Sequence, residues 1–192
     1  MTAEPQYSSH LLLTPANGLT FLRLASTPIM LAIIAQRRVD SATEALWFVL
    51  CATDWVDGKL ARRYGVSKSG AFLDPLADKF LVLGAMGMLV FKHVFWLLPV
   101  ALIAFREIAM SVYRSVASRK GVSIPARRSA KYKTFVQQLS VAFALLPWIG
   151  NHAIWIAESL LWVAAALTLG TGWMYLRDGR REAIAGMTRS VP

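Results

Sequence analysis

The sequence of 192 residues contains one cysteine, Cys51, so no disulfide can form within the chain and a sulfur-stapled framework is excluded. Cys51 lies in an apolar run, where a thiol behaves as a small buried hydrophobe rather than a nucleophile. Charge is scarce: Asp, Glu, Lys and Arg make up 17% of residues, and only 11 of them are acidic, which is low for a water-soluble domain. No low-complexity tract or internal repeat is present. Met1 to His10 are polar and carry no basic region ahead of a short apolar core, so a cleavable signal peptide is not expected. The chain reads as a single domain over 1–192, with a polar N-terminal segment (1–16) and a basic C-terminal tail (177–192).

Apolar residues are what the chain has in excess. They form 56% of the sequence, with seven Trp and nine Phe, and the mean hydropathy is +0.46. A small soluble core could not hide that much apolar surface. A membrane-crossing helix needs about 20 predominantly apolar residues. Stretches 17–35, 42–60, 72–91, 95–116, 135–149 and 153–176 meet that pattern. The expected fold is an all-α integral membrane protein of six transmembrane helices, with short connections apart from the basic segment 117–134.

Lys and Arg set the orientation. Lys59, Arg62, Arg63, Lys68 and Lys79 gather between the second and third stretches, and Arg114, Arg119, Lys120, Arg127, Arg128, Lys131 and Lys133 between the fourth and fifth. Arg177, Arg180, Arg181 and Arg189 follow the sixth, whereas the opposite side holds only Arg37, Arg38 and Lys92. The positive-inside bias therefore places both termini and the two charged connections in the cytoplasm of a cell-membrane protein. The Arg37-Arg38 pair runs against the bias, with Asp40 and Glu44 close behind it. In this setting the net charge of +10 reads as attraction to anionic lipid, and nucleic acid is not an expected partner.

Four of the acidic residues fall in one stretch. Asp54 and Asp57 are three apart and share a helix face, which Gly58 and Ala61 extend with almost no side chain. Asp74 and Asp78 are four apart and share a face of the next helix. A short turn between the two helices makes them antiparallel neighbours, with four carboxylates directed into one cleft. Carboxylates at membrane depth are costly and mark function by default. Four such charges stay ionised together only beside cations. Hard oxygen donors select Mg²⁺, Mn²⁺ or Ca²⁺, and no His or Cys joins the cluster to favour zinc. The plainer reading is structural pairing of each Asp with Lys59, Arg62, Lys79 or Arg106. It leaves unexplained why four carboxylates recur at this spacing among Gly and Ala.

The string Asp54-x-x-Asp57-Gly58-x-x-Ala61-Arg62, then Gly70-x-x-x-Asp74-x-x-x-Asp78, resembles the signature of the CDP-alcohol phosphotransferases, with every fixed position filled. The resemblance extends over about 17–175. It implies a two-metal centre of Mg²⁺ or Mn²⁺ held by Asp54, Asp57 and Asp74 with Asp78 beside it. It also implies a cytidine site lined by Gly58, Ala61, Arg62 and Gly70, Asp78 as the general base, and a homodimer. From the residues alone the four aspartates are equivalent candidates for that base. In the first stretch Asn17, Thr20 and Arg23 form a polar stripe three residues apart. It suits the nucleotide cleft, or equally a helix cap with Arg23 reaching out to headgroups.

The acceptor is read from other residues. Arg106 and Glu107 interrupt an apolar stretch, and Ser111, Arg114, Lys131, Lys133, Thr134 and Gln137 follow. Cations beside a metal cleft suit a phosphorylated acceptor, because both Arg and Lys bind phosphate. The pattern resembles the R-E-x-x-x-S-x-x-R and K-x-K-T-x-x-Q segments of the phosphatidylglycerophosphate synthase branch. That resemblance implies transfer from CDP-diacylglycerol to sn-glycerol 3-phosphate, with Arg106, Arg114, Lys131 and Lys133 at the acceptor phosphate. Ala130 stands where that branch has Gly. Arg119, Lys120, Arg127 and Arg128 read as orientation charge and attraction to membrane lipids. Transfer to phosphatidylglycerol (cardiolipin synthesis) or to an inositol phosphate remains open within the family. From a different class, a cation channel or transporter also places carboxylates in a membrane, although such a path would need polar residues along its whole length.

Overall fold

The computed structural model describes residues 15–36, 40–64, 68–119 and 129–189. Within those ranges, the side chains at 15–17, 19, 54–75, 114, 117–119, 129–131, 175–176 and 178–189 lie outside the description. The described chain is all helical, with no strand among the described residues. It runs α1 (Pro15–Gln36), α2 (Ser41–Tyr64), α3 (Lys68–Phe91), α4 (Leu97–Arg119), α5 (Ser129–Leu145), α6 (Pro147–His152) and α7 (Ile154–Arg189).

Helix covers more of the charged connections than hydropathy suggests. α2 and α3 leave only 65–67 between them, so Lys59, Arg62, Arg63, Lys68 and Lys79 are helical residues. The long basic segment narrows to 120–128, which lies outside the described residues. α7 continues through the stretch expected as a tail. Its 36 residues extend about 54 Å at 1.5 Å per residue. The portion Ile154–Met174, 21 residues, is long and apolar enough to cross a membrane, while Thr20–Gln36 and Ser41–Thr53 are shorter apolar helices.

The fifth apolar stretch breaks in two. Pro147 has no N–H to give and its ring disfavours helical geometry in the residue before it. Leu146 accordingly turns extended, at φ −68° and ψ 120°, and α6 starts afresh with Pro147 in its first turn. The other tight corner joins α3 to α4. His93 N–H donates to the Val90 carbonyl and Val94 N–H to the Leu89 carbonyl, each at 2.9 Å. These are the two bonds of a Schellman cap, in which the C′ residue takes a left-handed conformation. His93 occupies that place at φ 57°, where glycine is usual. At the start of α2, Asp40 Oδ1 accepts from the Thr43 N–H at 2.8 Å and from Thr43 Oγ1 at 2.6 Å, an N-cap.

α1 packs chiefly against α3 and α2, and α7 chiefly against α5 and α4. The two groups meet through α2 with α5, and through α3 with α4 and α5. Steps of three and four bury one face of α1: Thr20, Arg23, Thr27, Met30 and Ile34. Gly84 of α3 lets α1 close in, because a Cβ there would stand 3.0 Å from Leu31 Cδ1. The core continues through Trp47, Leu81, Met86, Leu89, Ile103, Val141, Leu145 and Leu161. Outward faces are also apolar: Phe21, Leu22, Ile29, Phe48, Val49, Phe80, Phe105, Ile108, Val112 and Val163 are all exposed. Apolar exposure of this extent marks a surface that meets lipid or a partner rather than water.

Candidate active site

Two helices carry the aspartates: α2 holds Asp54 and Asp57, and α3 holds Asp74 and Asp78. The side chains of Asp54, Asp57 and Asp74 lie outside the described residues, as do those of Asn17, Gly58, Ala61, Arg62, Gly70, Arg114 and Lys131. Among the described residues no group of three or more His, Cys, Asp or Glu forms a metal site. Thr20, Arg23, Asp78, Arg106 and Lys133 are described.

Asp78 is half-buried on α3, and its Oδ1 accepts a hydrogen bond from Gln138 Nε2 of α5 at 3.3 Å. Gln138 is held in turn through its backbone carbonyl, which accepts from Trp47 Nε1 of α2 at 3.3 Å. Trp47 is 1% exposed, so this link between α2, α5 and the Asp78 carboxylate runs through the packed interior.

Arg23 does not reach outward to headgroups. It is 1% exposed, and its Nε and Nη2 both donate to Thr53 Oγ1 at 3.4 Å. Thr53 immediately precedes Asp54, so α1 delivers a buried guanidinium to the point where the acidic motif of α2 begins. A fully buried cation is costly unless charged or polar groups face it. Thr20, one turn earlier on the same face, is buried as well.

A second cluster joins α3, α4 and α5. Glu107 of α4 is 6% exposed and accepts from Arg106 Nη1 at 3.1 Å. Lys133 Nζ of α5 bonds the same oxygen, Oε1. Lys79 Nζ of α3 stands 3.8 Å from Oε2 and also donates to Ser111 Oγ. Arg106 Nη2 donates to Thr171 Oγ1 of α7 at 3.2 Å. Its aliphatic stem and Nε lie over Gly172, where a Cβ would come within 3.3 Å of Nε. Lys79 is the residue after Asp78, and Gln138 lies five residues beyond Lys133 on α5. The cation cluster and the Asp78 carboxylate are therefore parts of one α3–α4–α5 neighbourhood.

The structure thus brings Arg106 and Lys133 together through Glu107, a carboxylate they share. Thr53, Gln138, Thr171 and Gly172 stand out only once the helices are packed. Lys79 carried a signal in the sequence, being adjacent to Asp78, but it could equally be counted among the orientation charges.

Comparison with known proteins identifies the family. The family model described as CDP-alcohol phosphatidyltransferase matches residues 13–170. The chain is 38% identical over 183 residues to a protein of Mycobacterium tuberculosis (strain ATCC 25618 / H37Rv) named "Probable phosphatidylglycerophosphate synthase", covering 92% of this chain and 86% of that one. It is 37% identical over 167 residues to the "CDP-diacylglycerol--glycerol-3-phosphate 3-phosphatidyltransferase" of Rickettsia bellii (strain RML369-C), covering 84% and 92%. It is 36% identical over 183 residues to the Pseudomonas fluorescens protein of that same name, covering 86% and 94%. The chain belongs to the CDP-alcohol phosphatidyltransferase family.

Proposed function

We propose that the chain is a membrane-embedded transferase that moves the phosphatidyl group of CDP-diacylglycerol onto sn-glycerol 3-phosphate, releasing CMP and forming phosphatidylglycerol phosphate. The observation that carries the acceptor choice is the cation cluster of buried Arg106 and Lys133 with half-buried Lys79, gathered on Glu107 next to Asp78. A phosphomonoester is the acceptor headgroup such cations suit. The relatives' names point the same way.

The donor set fits a divalent metal, since four carboxylates on adjoining segments of α2 and α3 offer hard oxygen ligands and no sulfur. Asp54, Asp57 and Asp74, with Asp78 close by, would hold Mg²⁺ or Mn²⁺. When bound, such metals neutralise the diphosphate and make its phosphorus a better electrophile.

The chain's own residues do the rest. Gly58 and Ala61 leave room for the cytidine beside α2, with Arg62, Gly70, Asn17, Thr20 and Arg23 lining the nucleotide site. Arg106 and Lys133, with Arg114 and Lys131, draw in the acceptor phosphate and present its glycerol hydroxyl to Asp78. The Asp78 carboxylate takes the hydroxyl proton as the oxygen attacks the phosphorus bearing diacylglycerol. The bond from that phosphorus to the bridging diphosphate oxygen breaks, and CMP leaves. Gln138 keeps one carboxylate oxygen of Asp78 oriented during this exchange.

The exposed apolar faces of α1 to α4 and α7 support six membrane spans, α5 and α6 together supplying the fifth. The basic helix ends support a site at the cytoplasmic face of the cell membrane. A single domain and a homodimer complete the reading, resting on family resemblance.

CMP release from CDP-diacylglycerol by detergent-purified protein tests the reaction. Release that requires both Mg²⁺ or Mn²⁺ and glycerol 3-phosphate, and that stops with a chelator, is the expected result. Release only with phosphatidylglycerol would make the enzyme a cardiolipin synthase. No release with any acceptor, from folded protein, would overturn the reading.

A further inference from the structure

We propose that Glu107 is the positioning residue of the acceptor site, a carboxylate that fixes Arg106 and Lys133 for a phosphomonoester without touching the substrate itself. The inference rests on the functional reading above and deepens it. Arg106 and Glu107 are consecutive on α4, so their side chains leave the helix about 100° apart. A bond of 3.1 Å between them requires the guanidinium to fold back around the helix instead of extending. Thr171 of α7 holds the other end of the guanidinium at 3.2 Å. Lys133 crosses from α5 to the same Glu107 oxygen. Arg106, Glu107 and Lys133 are each more than nine-tenths buried.

Two features separate this arrangement from an ordinary structural ion pair. Among the described residues, Arg106 and Lys133 share one carboxylate, so the cluster keeps positive character after its internal pairing. In addition, Arg106 Nε is buried and donates to nothing among the described residues. A structural pair gains most when its charges and donors are matched. A site waiting for an anion leaves a surplus of positive charge and donors. Glu107 therefore lowers the mutual repulsion of two buried cations enough to hold them together, and leaves the remainder for the acceptor phosphate. Removal of its charge should loosen Arg106 and Lys133 and weaken acceptor binding, while the nucleotide site on α1, α2 and α3 stays intact.

The test is steady-state kinetics on the purified full chain with CDP-diacylglycerol, Mn²⁺ and glycerol 3-phosphate. Glu107→Gln keeps the shape and removes the charge. The expected result is an acceptor KM raised about tenfold or more, with the lipid KM within about twofold of wild type. A double-mutant cycle with Lys133→Met should be strongly non-additive in acceptor KM, because the two residues act as one unit. An unchanged acceptor KM, an equal rise in both KM values, or an additive cycle would overturn the proposal. If Glu107→Gln does not yield folded protein, Glu107→Asp, which keeps the charge one methylene further back, is measured by the same criteria. Failure of both variants to fold would make Glu107 structural and overturn the proposal too. A wild-type protein that ignores glycerol 3-phosphate would instead refute the functional reading, so the two failures are distinguishable.

Discussion

Asn matches Asp in size but carries no charge and offers an NH2 donor where the carboxylate has an acceptor oxygen, so the motif aspartates offer a sharp test at the level of single residues. If Asp57 and Asp74 hold metal against a diphosphate, Asp57→Asn or Asp74→Asn removes a charged ligand and should lower turnover on the order of 10²–10³-fold or more. The fold should survive, since an isosteric amide on α2 or α3 keeps its volume and leaves the Met30, Leu81 and Met86 core untouched. CMP release set beside thermal stability in detergent separates the two effects. Wild-type-like turnover in either variant would remove that Asp from the metal site. Arg106 makes a different prediction. Arg106→Ala strips the cluster of its guanidinium and its contact with Thr171, and should raise the acceptor KM about tenfold or more while changing the lipid KM little. An unchanged acceptor KM would take Arg106 out of the acceptor site.

The residues that carry these predictions differ in how far the sequence reveals them. For Asp54, Asp57, Asp74 and Asp78 the sequence offers helical period, which puts each pair on one face, and the side chains of the first three lie outside the described residues. The stripe of Thr20 and Arg23 is legible for the same reason, although burial was needed to choose between an inward guanidinium and one reaching for headgroups. Gln138 and Thr171 are not legible in this way. Their bonds to Asp78 and Arg106 cross 60 and 65 residues of chain, a separation that only the packing of α3 on α5 and of α4 on α7 can close.

Local chemistry at helix ends decides where the elements begin and stop. Hydropathy located the helices but not their ends, because lipid-facing and charged residues both continue a helix readily. Pro147 lies inside a stretch that is apolar on both sides, so an average over hydropathy passes across it. The missing N–H and the restricted residue before it divide the stretch into α5 and α6. Asp40 works at the other kind of boundary. After Arg37 and Arg38 it reads first as a counter-charge, yet its carboxylate satisfies the Thr43 N–H at the start of α2. Asp40→Ala should therefore cost about 1 kcal/mol, the usual worth of an N-cap, and Asp40→Asn much less. Denaturation midpoints in a fixed detergent would check this. An equal loss in both variants would point to the charge beside Arg37 and Arg38 as the working part instead of the cap.

Orientation in the membrane belongs to the molecule as a whole, since it depends on all the helix ends together. One end of the bundle carries the α3–α4 corner and the α5–α6–α7 corners, with Trp96, Trp148 and Trp155 exposed there. Trp at such a level is at home in the headgroup region, where its ring is buried and its N–H is wet. The other end carries the helix ends around 64–68 and 119–129, rich in Lys and Arg. The aspartate motif lies toward that basic end. α7 supports the same polarity. Its apolar portion ends at Met174, and the helix then runs on to Arg189 through Arg177, Arg180 and Arg181, beyond what a hydrocarbon core of about 30 Å can contain. The single cysteine makes the orientation directly measurable. In a Cys51→Ala background, Asn151→Cys places a thiol at the Trp-rich end, where Asn151 is exposed. Ser67→Cys places one in the connection between α2 and α3. A membrane-impermeant maleimide applied to intact cells should label Asn151→Cys and leave Ser67→Cys unlabelled until the membrane is opened. The reverse pattern would put the basic helix ends outside and the aspartates on the wrong side for a cytoplasmic acceptor. Labelling of both in intact cells would mean that the connections do not lie on opposite sides of a bilayer, and the arrangement of six spans would fall with it.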